Sequence, residues 1–329
     1  MTRQPKAAQH ARVSGIGILI NPRSRRNLRD PGAGERLARI VGPLGRVRTA
    51  STLGELRDIA AEFSERDIDV LAISGGDGTN HVTLGGFIKA YGDKPLPPIA
   101  FLRGGTMNTV ANAVGVRRGS PERLLERLAK AVGRNEPLRS VTRRLMRVGD
   151  DYGFLFGAGA IHGFLAEYYR DGEPSPRVAA KTLARGAASA LIGGETATRI
   201  AEPLRGSIEY DDTSGRHHRW PEREYLAVGA GTVDQIGLGF RPFHRSAGRV
   251  DAFHLLGIHA TPAGLVRELP RIWRAAPMRP ETADDAAAVR AVIHPSGGVT
   301  RYMIDGDLFE APGPLSVSLG PSISIVTLR

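Results

Sequence analysis

The first 139 residues alternate between short apolar runs and stretches with helical spacing. Gly15–Asn21 and Ile68–Ser74 are apolar runs that predict buried strands, whereas Leu53–Arg66 has apolar residues at helical intervals. A Ser-Pro pair predicts the start of a further helix over Pro121–Gly133. Strands that alternate with helices favour a mostly parallel sheet covered on both faces. We therefore predict a three-layer α/β domain over residues 1–139.

From Ser140 the pattern changes to strand-like runs that follow one another, such as Val141–Val148 and Val299–Ile304. Residues 211–220 are expected to form a hairpin loop, and Glu281–Ala287 an exposed connection. The order favours an antiparallel, β-rich domain with helical insertions over residues 140–311. A last strand-like run lies in residues 312–329 and can return to the first domain. The helices predicted in this half are Ile161–Tyr169, Val178–Ile192 and Pro262–Arg274.

Composition narrows the classes of protein. The chain of 329 residues has no cysteine, which excludes disulfides and thiolate metal sites. Its net charge of +11 favours anionic partners such as phosphates or an acidic membrane surface. Aromatic residues make up only 6%, so nucleic acid is not an expected partner. Met1–Ser14 is polar and basic, and no apolar run is long enough to span a bilayer, so we expect a cytoplasmic protein.

Three loops at predicted strand ends are together rich in Asn, Gly, Thr and Ser. Gly75-Gly76-Asp77-Gly78-Thr79 follows a buried strand and leads into a predicted helix, His81–Tyr91. Glycine lets the backbone approach a ligand closely, and the first N–H groups of a helix favour phosphate. A second loop, Arg103–Thr109, and a third, Asn21–Arg25, occupy equivalent positions after their own strands. Since loops at neighbouring strand ends border one crevice, a phosphate site is predicted there.

These loops resemble the catalytic-domain family of diacylglycerol kinases, to which sphingosine and ceramide kinases and bacterial lipid kinases belong. The resemblance rests on Asn-Pro-x-Ser, Gly-Gly-Asp-Gly-Thr and Gly-Thr-x-Asn in this order. Three motifs of the second half also match: Gly157-Ala158-Gly159, Gly237–Phe240 followed by Pro242, and Met303–Asp307. The resemblance implies an α/β nucleotide-binding domain, a β-sandwich-like domain and an active site in the cleft between them.

The resemblance also implies roles for individual residues. Asp305 and Asp307 match the acidic pair that serves proton removal, and Asp77 helps to position Mg²⁺ or the reacting groups. ATP and Mg²⁺ are the implied cofactors, and a lipid alcohol drawn from a membrane is the implied substrate. Residues implied in nucleotide binding are Asn21, Pro22, Arg23, Ser24, Ser51, Thr52, Gly75, Gly76, Asp77, Gly78, Thr79, Gly105, Thr106 and Asn108.

The chain departs from the family pattern at several positions. Arg25 and Arg103 replace a common glycine and proline, which adds positive charge beside the predicted phosphate site. Asp307 replaces a glutamate, which leaves open whether Asp305 or Asp307 is the base. Ala247 stands where many bacterial members have an aspartate that binds a structural magnesium ion. We therefore expect that second magnesium site to be weak or absent.

Three functions remain open at this point. The first is a soluble lipid kinase that docks peripherally on an anionic membrane, with an acyl pocket lined by the helices Ile161–Tyr169 and Val178–Ile192. The second is a kinase of a soluble substrate, such as an NAD kinase, because those enzymes share Gly-Gly-Asp-Gly-Thr. The third is a protein that binds a nucleotide or a lipid without turnover, which the altered acidic positions suggest.

Overall fold

The computed structural model describes residues 15–171, 173 and 175–328, so the predicted basic start lies outside the described residues. The strands are β1 (Ile16–Ile20), β2 (Gly45–Thr49), β3 (Val70–Ser74), β4 (Ile99–Phe101), β5 (Ser140–Val148), β6 (Asp151–Gly153), β7 (Leu155–Gly159), β8 (Leu204–Asp212), β9 (His217–Tyr225), β10 (Ala227–Gly231), β11 (Phe253–Ile258), β12 (Ala283–Pro295), β13 (Val299–Ile304), β14 (Asp307–Pro312) and β15 (Leu315–Val326). The α-helices are α1 (Arg25–Arg29), α2 (Ala33–Val41), α3 (Leu53–Arg66), α4 (Asp77–Tyr91), α5 (Thr109–Ala113), α6 (Pro121–Gly133), α7 (Ala160–Arg170), α8 (Pro176–Ile192), α9 (Glu195–Ile200) and α10 (Pro262–Trp273).

The first half is a parallel sheet with helices on both faces, as the sequence predicts. Its strands lie in the order β2-β1-β3-β4. Side chains of β1 alternate between the faces: Ile16 and Ile18 join a core with α2 and α6, whereas Leu19 joins a core with α3 and α4. Both sides of the sheet are therefore buried, which explains why its strands are apolar throughout.

Two helix starts in this half, those of α3 and α6, are specified by local side-chain caps. The Thr52 hydroxyl accepts a hydrogen bond from the backbone N–H of Glu55, and Ser120 caps α6 in the same way. Such a cap stabilises a helix by about 1 kcal/mol. The predicted bounds of α3 and α6 agree with the structure to the residue.

The second half consists of antiparallel strands wrapped around a separate core. The sheet continues in the order β14-β13-β7-β10-β11-β12. Strand β8 pairs with β12 and β9 with β8, whereas β5 pairs with β15 and β6 with β5. Phe156, Ile208, Tyr225 and Phe253 are among the side chains that fill this core. Helices α7 to α10 cover part of this half and do not belong to the sandwich-like core.

The last strand joins the two halves. Ile325 of β15 pairs in parallel with Ile99 of β4, while the same strand pairs antiparallel with β5 and, through its first residues, with β12. Eleven strands thus follow one another along a continuous path from β14 to β2. The boundaries proposed from the sequence, at residues 139 and 311, remain a prediction.

Three predicted details of the second half are wrong. The 211–220 segment is mostly strand, because β8 extends to Asp212 and β9 starts at His217, where Trp220 is buried. The Glu281–Ala287 segment is not an exposed connection, since Ala283 pairs with β11 and is buried. Four helices interrupt the strands here, whereas the sequence predicted three. Among the helices that the structure describes, none is both long and apolar enough to cross a membrane.

Candidate functional site

Two glycine loops lie backbone against backbone at the carboxyl ends of β3 and β4. A Cβ atom placed on Gly105 would lie 2.3 Å from Cα of Gly76, and one placed on Gly104 would lie 2.9 Å from the backbone nitrogen of Gly75. No real side chain tolerates contacts this short. Glycine is thus required in both loops because the two backbones lie so close together. A bound ligand would be a second reason for glycine at these positions.

The loop after β1 joins the same assembly through Asn21. Its side-chain amide donates a 2.9 Å hydrogen bond to the hydroxyl of Thr79, and its carbonyl oxygen accepts one from the backbone N–H of Arg23. The buried Asn27 donates a further bond to the backbone carbonyl of Asn21. The three predicted loops therefore form one connected edge of the sheet.

Asp77 is the first residue of α4 and also caps α5. Its carboxylate accepts hydrogen bonds of 2.9 and 3.3 Å from the backbone N–H groups of Thr109 and Val110. Burial raises the pKa of Asp77, although these two hydrogen bonds oppose the rise. Asp77 therefore links the two glycine loops, and the sequence did not predict this structural role.

Asp305 approaches from the opposite half of the molecule. It begins the turn between β13 and β14, where both Asp305 and Gly306 have positive φ, the conformation that a two-residue type I′ hairpin needs. The carboxylate is almost fully buried and accepts hydrogen bonds from the backbone N–H groups of Phe154 and Leu155. Burial raises its pKa to about 8, and the neighbouring Asp77 carboxylate adds to the rise.

Asp307 follows on the other side of the same turn and is less enclosed. A Cβ atom on Gly78 would lie 3.1 Å from its Oδ1, so its carboxylate faces the first turn of α4. Burial raises the pKa of Asp307, and His81 opposes the rise. Glycine at position 78 therefore permits the close approach of this carboxylate to α4.

These groups surround one cavity of about 870 Å³ between the two halves of the molecule. This volume lies within the range of sites that bind small molecules. The cavity is lined by Asp77, Thr106 and Asp305. The kinase hypothesis requires these three residues to border one common cavity. The predicted residues that line the cavity are Asn21, Arg23, Ser24, Gly76, Asp77, Gly78, Thr79, Gly105, Thr106, Asp305 and Asp307.

The remainder of the cavity is apolar. Residues from four helices form its wall. The sequence predicted two of these helices, Ile161–Tyr169 and Val178–Ile192, as the lining of an acyl pocket. The helix α10 and the segment between β10 and β11 contribute to the wall. Representative apolar lining residues are Phe164, Leu165, Leu183, Ala187, Phe243 and Leu265.

Five predicted site residues do not line this cavity: Pro22, Ser51, Thr52, Gly75 and Asn108. Thr52 caps α3, and the backbone N–H of Ser51 donates to the side chain of Glu55. Asn108 donates a 2.7 Å hydrogen bond to the carbonyl of Gly105 and so closes the second glycine loop. Nucleotide contacts by these five residues remain a prediction.

Two further findings concern residues around the site. The guanidinium of Arg103 donates to the side chain of Asn112 on α5 and does not line the cavity, although its positive charge opposes the rise in the pKa of Asp77. The role of this charge beside a phosphate remains a prediction. Tyr169 was not predicted as a site residue. Its hydroxyl donates a 2.6 Å hydrogen bond to the carbonyl of Gly306, which holds the acidic turn against α7.

Together, the fold and the cavity define an α/β protein whose candidate active site lies in the cleft between a parallel sheet and an antiparallel, β-rich half. Residues 16–138 match the family model of the diacylglycerol kinase catalytic domain. The resemblance stated from the loop motifs is therefore confirmed for this part of the chain.

Solved structures of the same fold cover almost the whole chain. One is a diacylglycerol kinase from Bacillus anthracis str. Sterne, with 15% identity and a TM-score of 0.64 over 96% of this chain and 98% of that one. Another, from the same organism and provisionally called a diacylglycerol kinase, has 15% identity and a TM-score of 0.68 over 98% of both chains. At such low identity the likeness concerns the fold alone. No curated protein matches the chain.

Proposed function

We propose that the protein is an ATP- and Mg²⁺-dependent lipid kinase that phosphorylates a hydroxyl of a diacylglycerol, a ceramide or a sphingoid base. The observation that carries the proposal is the composition of this cavity. Backbone loops and three carboxylates form one end, and apolar helix side chains form the other. A nucleotide phosphate suits the first end, and an acyl chain suits the second.

The polar end fits the phosphates of ATP. Gly76 and Gly78 lack a Cβ atom, so an anion can reach the backbone N–H groups at the start of α4, where the helix dipole favours negative charge. Arg23 lines the same end and supplies a positive charge. The first N–H groups of α5 already bind Asp77, so α4 is the better anchor.

Carboxylate oxygens of the polar end fit the Mg²⁺ ion that accompanies ATP. Mg²⁺ prefers oxygen ligands, and Asp77, Asp305 and Asp307 all border the cavity. When bound, the ion neutralises charge on the transferred phosphoryl group. Asp77 is the residue that we assign to it, because its hydrogen bonds to α5 fix the carboxylate beside the predicted phosphate loop.

Asp307 is the better candidate for the general base. The carboxylate of Asp305 is engaged by two backbone N–H groups, so Asp305 acts as a positioning residue for the turn. Asp307 borders the cavity, and its raised pKa moves it towards the range in which a carboxylate accepts a proton effectively. We therefore propose Asp307, and not Asp305, for the role of base that the sequence left open between them.

The proposed reaction is a single phosphoryl transfer. The lipid hydroxyl oxygen forms a bond to the γ-phosphorus while the bond from that phosphorus to the β,γ-bridging oxygen breaks, which releases ADP. The hydroxyl proton passes to the Asp307 carboxylate. The chain's own contribution is alignment of the two substrates by the loops and removal of that proton.

Membrane lipid would reach the apolar end from the surface of α8 and α10. Leu191 and Ile192 end α8 with their side chains exposed, and Trp273 ends α10 in the same state. Arg267 and Arg271 lie on α10 and Arg274 directly follows it, which suits anionic headgroups. We therefore propose peripheral docking through these two helices on an anionic bilayer.

The test is label transfer from γ-labelled ATP with Mg²⁺ to a panel of micellar lipids. We expect labelled phospholipid with the wild-type protein and a loss of roughly 10²- to 10⁴-fold in kcat with Asp307→Asn. Glu310→Gln is the matched control, because Glu310 is an exposed carboxylate on the same strand and is expected to leave the rate unchanged.

Two results would overturn the proposal. Label on NAD, with none on any lipid, identifies a kinase of a soluble substrate. ATP binding without transfer to any acceptor, unchanged in Asp305→Ala and Asp307→Ala, identifies a binding protein without turnover.

A further inference from the structure

Outside the cavity, two imidazoles and one carboxylate lie close together in the β-rich half. They belong to His244 in a short 3-10 turn, His254 on β11 and Asp285 on the neighbouring strand β12. One nitrogen or oxygen atom from each residue lies within 4.8 Å of the other two. The lipid kinase proposal uses none of these three residues.

His254 is the strongest indication that the cluster binds something. The side chain is fully buried, yet its Nε2 atom has no hydrogen-bond partner among the described residues. The nearest acceptor, Oδ2 of Asp285, is 3.7 Å away, which is too far for a hydrogen bond. A buried polar nitrogen without a partner is costly, so it calls for a ligand between it and the carboxylate.

The distances between these atoms suit a metal ion. Nε2 of His244 is 3.8 Å from the same Oδ2 atom that lies 3.7 Å from His254. Around a tetrahedral Zn²⁺ with ligands at about 2.0–2.1 Å, neighbouring ligand atoms are about 3.3–3.4 Å apart. The two imidazole-to-carboxylate distances exceed this spacing by about 0.4 Å, and all three atoms lie within 4.8 Å of one another, so the side chains have to close around a bound ion.

The chemistry of the donors agrees with this geometry. Two imidazole nitrogens and one carboxylate oxygen are donor types that Zn²⁺ takes in proteins. Arg245 binds Oδ1 at 2.7 Å and so leaves Oδ2 for the imidazoles, as an outer partner of a ligating carboxylate does.

We propose that His244, His254 and Asp285 form a binding site for a divalent transition metal, with Zn²⁺ as the ion that fits best. Three protein ligands leave one position for water. The preceding residues, Pro242 and Phe243, line the apolar part of the cavity. The ion would thus link the turn that contains His244, directly after these two lining residues, to strands β11 and β12.

The test uses the full-length protein after dialysis against a chelator. Cobalt(II) serves as the spectroscopic probe, and Zn²⁺ as the competitor. We expect one Co²⁺ per chain with the visible absorption of a tetrahedral site, displacement by Zn²⁺, and a melting temperature that rises with Zn²⁺ concentration. His244→Gln and Asp285→Asn should each weaken binding by at least about tenfold.

His259→Gln is the matched control. Nε2 of His259 lies 3.7 Å from Oδ2 of Asp284, the same distance as in the proposed site but without a third ligand among the described residues. Binding should be unchanged in this variant. His244 is partly exposed, so His244→Gln keeps the test valid if Asp285→Asn fails to fold. Equal Co²⁺ binding by the wild type and His244→Gln, or no Co²⁺ binding by the wild type, would overturn the proposal.

Discussion

The two ends of the cavity are built in different ways. At the polar end, main chain lies against main chain: Gly76 and Gly105 meet without room for a methyl group, and Asp77 binds the N–H groups of another loop. At the apolar end, side chains from α7, α8 and α10 form the wall. The comparison teaches that the polar end should tolerate almost no added volume, whereas the apolar end should change its ligand preference gradually.

The largest effect is expected for Gly105→Ala. The added methyl group would lie 2.3 Å from Cα of Gly76, so one of the two loops must move. We expect a loss of at least about 100-fold in phosphoryl transfer, since a displacement of about 1 Å has this effect on a catalytic geometry. Steady-state kinetics with ATP as the varied substrate measure it.

Gly85→Ala is the control for this prediction. Gly85 lies in α4, and nothing lies within 4 Å of a Cβ atom placed there. Alanine should therefore leave activity intact and raise stability by up to about 1 kcal/mol. Equal activity of both variants would show that the close approach of the two loops is unimportant for function.

A smaller and more selective effect is expected at the apolar end for Ala187→Phe. Ala187 lines the cavity, so the larger side chain would occupy space that we assign to an acyl chain. We expect KM for a long-chain lipid to rise about tenfold, in line with the few kcal/mol that apolar pockets discriminate, while KM for ATP stays constant. Ala188→Phe, on the exposed face of α8, is the control. An equal rise of both KM values would show that the two ends are not separate.

A third prediction concerns the buried carboxylate that closes the polar end. Because the pKa of Asp305 is raised from 3.8 to about 8, the folded state holds its proton over a range in which the unfolded state has lost it. Its contribution to stability is thus complete below about pH 4 and falls as the pH rises to about 8, by at most about 1.4 kcal/mol per pH unit. Urea unfolding of the wild type and Asp305→Asn from pH 5 to pH 8 should show a steeper decline in the wild type. Parallel profiles would contradict the raised pKa.

The smallest effect is expected for Thr52→Ala, outside the cavity. Loss of the α3 cap should cost about 1 kcal/mol in the free energy of unfolding. Thr52→Ser keeps the hydroxyl and should retain most of that stability. A change in KM for ATP with Thr52→Ala, at unchanged kcat, would instead support the nucleotide contact predicted from the sequence.

The sequence predicts those parts of the molecule that local signals specify. Thr52 and Ser120 mark helix starts beside an apolar periodicity, so α3 and α6 could be bounded from nearby residues alone. β12 was missed at its start because Ala283 and Ala286 resemble a loop in composition, and only pairing with β11 makes them strand.

The candidate site likewise combines features that local sequence signals predict with contacts that they do not. The glycine loops were found from their position after strands, but the partners of Asp77 and Asp305 could not be. Asp305 binds backbone groups about 150 residues earlier in the chain, and Tyr169 reaches Gly306 across a similar separation. Such contacts depend on how the two halves meet, which no local pattern records.

The position of β15 has a consequence for synthesis of the chain. The open edge of β4 is completed by a strand that begins more than 200 residues later. At about 5–20 residues per second, a ribosome needs about 10 to 40 s to supply it. During that interval the nascent first half exposes an unpaired strand edge, so a chaperone that shields such edges should raise the yield of native protein.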